Sequence, residues 1–241
     1  LDLCRRYNMR LVGPNCLGLI NTFTPINASF AAQMPLRGGI AFASQSGALC
    51  TAVLDWAARE HIGFSHLISL GNMADMDETD FMELLAEDPN TKVILIYIEG
   101  IKEGEKFLTV APKVSHKKPV VILKSGVSDA GARAAASHTG SIAGSRIAYD
   151  AAFRRCGVLR ASSVEELFNF GIAFSCQPIP QGRSVAIITN AGGPSIVAAD
   201  ACSQHGLNMA WLSTRTIEFL RKNLPGEASW TNPVDVLGDA L

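Results

Sequence analysis

Gly39-Ile-Ala-Phe-Ala43, Ser44-Gln-Ser-Gly47 and the stretch from Ala48 to Arg59 follow one another as an apolar run, a small polar turn and a helical segment. The apolar run shows no polar alternation, which predicts a strand buried on both faces and so a parallel sheet covered by helices. Working outward, the same succession repeats. Strands are predicted over residues 64–70, 92–98, 119–124 and 158–160, and helices over 79–86, 103–114, about 141–156 and 164–174. Such alternation is the pattern of an α/β protein with a flavodoxin-like, doubly wound parallel sheet.

Gln177-Pro-Ile-Pro-Gln-Gly-Arg183 interrupts the pattern with two prolines, a glycine and polar residues, and reads as a linker. A second unit then starts with a strand over 184–189, a Gly-rich turn, a helix over 196–205, a strand over 209–212 and a helix over 214–223. Its strand, small polar turn and helix repeat the succession at 39–57, so two related flavodoxin-like units are expected: 35–178, and 183–241 as a truncated start. Residues 1–34 read as the end of a helix through Arg10 and a short strand at Leu11-Val-Gly13, finishing an upstream domain. The chain opens without an initiator methionine, and both ends read as cut from a longer polypeptide.

The composition narrows the function classes. Lys+Arg number 21 and Asp+Glu 22, for a formal net charge of -1, which leaves no basic patch of the kind nucleic acids require. The longest apolar runs, such as Val93-Ile-Leu-Ile-Tyr-Ile98, fall far short of the roughly 20 residues of a membrane-spanning helix. Six cysteines at 4, 16, 50, 156, 176 and 202 show no Cys-x-x-Cys pair or zinc spacing, so they read as reduced thiols of a cytoplasmic protein without a metal centre. The acidic run Asp75-Met-Asp-Glu-Thr-Asp80 lacks the glycine of a calcium loop and reads as a helix N-cap.

Three loops carry candidate chemistry. Ser44, Gln45, Ser46 and Gly47 close a strand and open a helix, where unpaired N–H groups and the helix dipole favour an anion. Asn190, Ala191, Gly192 and Gly193 occupy the same position in the second unit. Neither loop fits Gly-x-Ser-x-Gly, Gly-x-Gly-x-x-Gly or a Walker pattern, so nucleophilic serine and nucleotide P-loop chemistry are set aside. His138, in Ala136-Ser-His-Thr-Gly140, is a histidine among small residues in a long strand-to-helix loop. Neutral imidazole is a competent nucleophile near pH 7. It needs a carboxylate to orient it, and Glu99, at the end of the strand over 92–98, is the candidate.

Gly13-Pro-Asn-Cys-Leu-Gly18, Ser44-Gln-Ser-Gly47, Gly71-Asn-Met-Ala-Asp75, Tyr97-Ile-Glu-Gly100, Ser137-His-Thr-Gly140 and Asn190-Ala-Gly-Gly-Pro194 together resemble, in order, the NDP-forming acyl-CoA synthetases. The superfamily includes succinyl-CoA synthetase and ADP-forming acetyl-CoA synthetase. The resemblance implies that His138 is a phosphohistidine partnered by Glu99. It implies that the helices opening at Ser44–Gly47 and Asn190–Gly193 hold the phosphate with their N-termini. It further implies that residues 1–34 end a CoA-binding Rossmann domain, with Asn15 and Cys16 near the thiol of coenzyme A.

The expected substrates are an acyl-CoA or carboxylic acid, phosphate and ADP/ATP with Mg. The nucleotide and Mg would bind outside this chain, on an ATP-grasp domain or subunit, in a cytoplasmic oligomer, and the chain alone would be inactive. Two alternatives stay open at this point: the synthetase-like regulatory region of a Pat-type protein-lysine acetyltransferase, and a non-catalytic module that binds a small anion.

Overall fold

The computed structural model describes residues 1–127, Gly131 and 145–238, and the chain forms two compact units, Leu1–Pro178 and Ile179–Leu241. The boundary falls inside the Pro- and Gly-containing stretch 177–183. In the first unit, β3 (Arg37–Ser44), β4 (Phe64–Ser69), β5 (Val93–Ile98), β6 (Val120–Lys124) and β7 (Leu159–Ala161) are parallel and lie in the order β4-β3-β5-β6-β7. That is the flavodoxin-type order, with the chain turning from one side of β3 to the other.

Side chains along β5 show why the strand lacks alternation. Ile94, Ile96 and Ile98 pack on one face with Phe81, Met82 and Leu85 of α3 (Glu78–Glu87) and Phe107, Val110 and Val114 of α4 (Gly104–Lys117). Phe153 of α5 (Arg146–Arg155) joins this face. Val93 and Leu95 pack on the other face with Cys50, Val53 and Ala57 of α2 (Gly47–Arg59) and Leu167 and Phe168 of α6 (Val164–Cys176). Every position is apolar because both faces are covered. Helix α6 approaches so closely that a Cβ on Gly171 would fall 2.7 Å from Leu95 Cδ1, so a larger residue there would have to push the Leu95 side chain aside.

Two strands were not foreseen. β1 (Gly18–Asn21) and β2 (Ile26–Ser29) form an antiparallel hairpin, and β1 pairs antiparallel with β4. The Asn21 side chain makes the turn, its Oδ1 accepting from Phe23 N at 2.9 Å and Thr24 N at 3.0 Å. Pairing therefore runs across the division expected at residue 34. Conversely, no strand forms at Leu11-Val-Gly13. That segment bonds instead to the loop before α3: Leu11 N donates to Asp75 Oδ2, Ala74 N to Gly13 O and Asn72 N to Pro14 O. The first helix, α1, is Asp2–Arg6.

In the second unit the expected strand over 184–189 is split into β8 (Ser184–Val185) and β9 (Ile188–Thr189). β8 pairs parallel with β10 (Asn208–Met209), and β9 with β11 (Val234–Asp235). Asn232 fills the gap. Its Oδ1 accepts from Ile187 N at 2.9 Å, and its Nδ2 donates to Val185 O at 2.8 Å and Ala210 O at 3.0 Å. Helix α7 (Gly192–Gln204) begins a turn earlier than expected, and α8 (Thr214–Asn223) follows the predicted span. Among the described residues, no helix is long and apolar enough to cross a membrane.

Candidate active site

In a doubly wound sheet, ligands bind where neighbouring strands send their chains in opposite directions, beyond the carboxyl ends. Here that point lies between β3 and β5. Ser44, the last residue of β3, is in register with Ser69 on one side and Tyr97 on the other. A cleft of about 1130 Å3 opens above it, walled by residues 15–17, 45–48, 71–73 and 99–102 together with Tyr149. Asn15, Cys16, Gln45, Ser46, Gly47 and Glu99, six of the expected site residues, thus line one cavity. His138 lies outside the described residues.

The turn into α2 is built from its own hydroxyls. Ser44 Oγ, fully buried, donates to Ser46 O at 2.9 Å and accepts from Ser46 N at 3.0 Å. Ser46 Oγ caps the helix by accepting from Leu49 N at 3.2 Å. Gln45 N donates to Tyr97 O at 3.1 Å, and the Gln45 carboxamide bonds the main chain of Glu99 and Gly100. Of the four residues expected to cradle an anion, Ser44 is therefore committed to the turn itself and Gln45 to the main chain that leaves β5. The donors left toward the cleft are the Gly47 and Ala48 N–H groups, which have no partner among the described residues, and the Ser46 hydroxyl hydrogen.

Glu99 stands at the opposite wall, and its carboxylate makes no hydrogen bond among the described residues. Behind it lies a residue the sequence reading passed over. Lys124, the last residue of β6, pairs in register with Ile98 and is 3% exposed. Its ammonium lies 4.9 Å from the Tyr149 ring centroid and donates to Ser125 O. Burial pushes the Lys124 pKa down, and the negative charge of Glu99 pulls it back up. The available signal was a lysine ending the otherwise apolar run Val120-Val-Ile-Leu-Lys124. Lys102 was also missed. It braces the third wall, its Nζ donating to Asn72 O at 2.6 Å and Met73 O at 3.2 Å.

The wall carrying Asn15 and Cys16 depends on a glycine. Gly71 has φ +58°, and a Cβ there would fall 2.3 Å from Pro14 O and 2.8 Å from Cys16 Cβ. Asn15 Nδ2 donates to Asn72 Oδ1 at 3.3 Å, and Cys16 Sγ lies 3.7 Å from Val12 O.

The acidic run beyond this wall is structural. Asp77 caps α3 in a capping box with Asp80, and Lys106 Nζ contacts both carboxylates. Asp75 is held below the usual carboxylate range, first by the Leu11 N–H and then by Arg10. Glu78 is buried with Oε2 unpaired among the described residues, and burial pushes its carboxyl up to about 7. Among the described residues, no three His, Cys, Asp or Glu side chains are grouped to hold a metal.

The second unit repeats the turn. Thr189 Oγ1 donates to Ala191 O and accepts from Ala191 N, both at 3.0 Å, as Ser44 does with Ser46. The Gly192 and Gly193 N–H groups are left without partners among the described residues. Asp235, in register with Thr189, brings Oδ2 within 3.2 Å of where a Cβ on Gly192 would stand. The sequence reading placed no carboxylate there.

A parallel sheet in flavodoxin order, with a helix N-terminus and a carboxylate facing each other across its switch point, defines the class as a flavodoxin-like ligand-binding domain. Residues 37–174 match the succinyl-CoA ligase like flavodoxin domain, and the chain belongs to that family. It is 52% identical over 240 residues to the ADP-forming acetate–CoA ligase I of Archaeoglobus fulgidus, covering 100% of this chain and 35% of that protein. It is 49% identical to the alpha subunit of the ADP-forming acetate–CoA ligase II of Pyrococcus furiosus, covering 100% of this chain and 52% of the subunit.

Among solved structures, the dinucleotide forming acetyl-coenzyme A synthetase 1 of Ca. Korarchaeum cryptofilum, in complex with phosphate and ADP, superposes with a TM-score of 0.91. It is 41% identical and covers 98% of this chain and 52% of that one. The chain thus spans about a third to a half of the length of these relatives.

Proposed function

We propose that the chain is the phosphoryl-carrying part of an ADP-forming acyl-CoA synthetase, in which residues 1–34 end a CoA-binding domain and the nucleotide binds on an ATP-grasp partner. The observation that carries this reading is a cleft into which Asn15, Cys16, Glu99 and the Gly47 and Ala48 N–H groups, unpaired among the described residues, all open. Phosphate and the thioester of an acyl-CoA fit there: the N–H pair receives the anion, and the wall at Asn15 and Cys16 receives the thiol end of coenzyme A.

In the forward direction a phosphate oxygen attacks the thioester carbonyl, the C–S bond breaks, and coenzyme A leaves as the thiolate. The acyl phosphate stays at the N-terminus of α2. His138 nitrogen then attacks phosphorus, the P–O bond to the acyl group breaks, and the carboxylic acid leaves as its anion. Glu99 orients the imidazole and balances the positive charge it gains. A terminal oxygen of ADP, with Mg on the partner module, finally attacks the phosphohistidine, releasing neutral histidine and ATP. The turn at Asn190–Gly193 offers a second helix N-terminus to the phosphoryl group. Covalent storage on nitrogen lets the two half-reactions occur at separate places. The working enzyme is a cytoplasmic oligomer in this reading.

The test uses the full-length protein with γ-labelled ATP and Mg. Acid-labile label is expected on the wild type and none on His138→Ala. An unlabelled wild type defeats the reading and leaves a non-catalytic anion-binding module.

A further inference from the structure

Gln45 stands between the two walls of the cleft, and both polar atoms of its carboxamide are used. Oε1 accepts from Glu99 N at 2.7 Å and Gly100 N at 3.2 Å, and Nε2 donates to Gly100 O at 2.7 Å and contacts Met73 Sδ at 3.5 Å. Its own N–H donates to Tyr97 O at 3.1 Å. A carboxamide suits this place because it presents an acceptor to two N–H groups and a donor to a carbonyl on one rigid fork. The chain that leaves β5 is thereby tied to the turn that opens α2. The Glu99 carboxylate has no hydrogen bond of its own among the described residues, so this main-chain tie helps to set its position, beside the charge of Lys124.

We propose that Gln45 is the positioning residue for Glu99: it fixes the Glu99–Gly100 peptide across the switch point, and so holds the carboxylate at a set distance from the N-terminus of α2. This rests on the reading of Glu99 as the partner of His138. It separates Gln45 from its neighbours in the turn. Ser46 and Gly47 face the anion, while Gln45 acts on the carboxylate.

Two substitutions disturb the fork differently. Gln45→Ala removes it and frees the peptide. Gln45→Glu keeps the shape and the acceptor, but turns a second oxygen on the Gly100 carbonyl and adds a like charge close to Glu99, which favours protonated Glu99. The experiment is single-turnover labelling of His138 from ATP and Mg in the full-length protein, followed against pH, with thermal unfolding run in parallel.

Gln45→Ala is expected to lower the labelling rate about 10–100-fold, the scale of a misplaced catalytic group, with the KM for nucleotide within about twofold of wild type. Gln45→Glu is expected to move the acid limb of the rate to higher pH while the labelling stays on His138. Folded variants that match the wild type in rate and in acid limb overturn the proposal. So does a Gln45→Ala enzyme with an unchanged labelling rate whose KM for inorganic phosphate, measured in the acyl-CoA half-reaction, is raised, because Gln45 is then a phosphate ligand. If Gln45→Ala does not fold, the acid limb of Gln45→Glu decides. A wild type without label defeats the phosphohistidine reading itself, a result distinct from variants that merely equal it.

Discussion

The segments 39–59 and 184–204 run through the same strand, hydroxyl-braced turn and helix, yet they sit in different surroundings. In the first, β3 has parallel neighbours on both sides, and four of its five residues from Ile40 to Ser44 pack without any solvent contact. In the second, β8 and β9 are two residues each, and Ile188, at 72% exposure, has solvent where Ala43 has a helix. Helix α2 buries Cys50, Val53 and Ala57, whereas α7 buries Ser195 and Cys202 and leaves Ile196 65% and Val197 69% exposed; beyond the segment, α8 buries no residue and leaves Phe219 65% exposed. The turn therefore does not need the sheet around it. Ser44 and Thr189 close it with the same pair of hydrogen bonds, a local device that works in either setting.

The contrast in packing shows most strongly at the aromatic residues. Phe168 is fully buried, with ring centroids 5.4 Å from Phe42, 5.1 Å from Trp56 and 6.3 Å from Phe64. Phe168→Ala is expected to destabilise the first unit by about 3–5 kcal/mol, and Phe219→Ala to change the second by about 0.5 kcal/mol or less. Urea unfolding of the 241-residue chain, read separately through amides of each unit, measures both. Equal losses would mean that the two units bury their aromatic residues alike.

The same contrast explains what could be read from the sequence. β3, β5 and β6 were legible because burial on both faces leaves uninterrupted runs such as residues 93–98, while β4 and the edge strand β7 were placed by their position in the alternation with helices. β1 and β2 were not, because four-residue, half-exposed strands carry no such run, and their one cue was the turn chemistry of Asn21. The split between β8 and β9 depends on Asn232, 45 residues from Ile187. At the site, Ser46, Gly47 and Glu99 were legible as strand ends and small-residue turns that a doubly wound sheet gathers on one edge, whereas Asn15 and Cys16 were named through the resemblance alone. Gln45 could be placed in the turn but not assigned its partners, which lie 54 and 55 positions away. Assigning His138 to a phosphohistidine drew on resemblance as well as its loop.

A smaller effect separates the two turn hydroxyls. Ser44 has no solvent contact, so Ser44→Ala leaves Ser46 N without its partner in a place water does not reach, at a cost of about 1–3 kcal/mol. Thr189 is only partly covered, and water can replace its hydroxyl. Thr189→Val is expected to cost about 0.5–1 kcal/mol. Hydrogen exchange of the Ser46 and Ala191 amides reports each loss at its own turn, and a Thr189→Val loss as large as that of Ser44→Ala would show that the second turn is as dry as the first.

The smallest difference concerns charge. In the first unit the residue in register with the turn hydroxyl is Tyr97, and the carboxylate comes two residues later at Glu99. In the second, Asp235 itself holds the register position, close to Gly192, with Oδ1 already accepting from Leu237 N at 3.0 Å. A carboxylate beside a helix N-terminus takes up part of the dipole and repels a second anion. Asp235→Asn keeps the Oδ1 acceptor and removes the charge, so inorganic phosphate is expected to bind the Gly192 and Gly193 amides about two- to fivefold more tightly, or roughly 0.5–1 kcal/mol. The amides of Gly47 and Ala48, titrated in the same sample, supply the control and are expected not to change. Unaltered affinity at Gly192 would mean that Asp235 does not govern that turn, and that the two turns differ in packing alone.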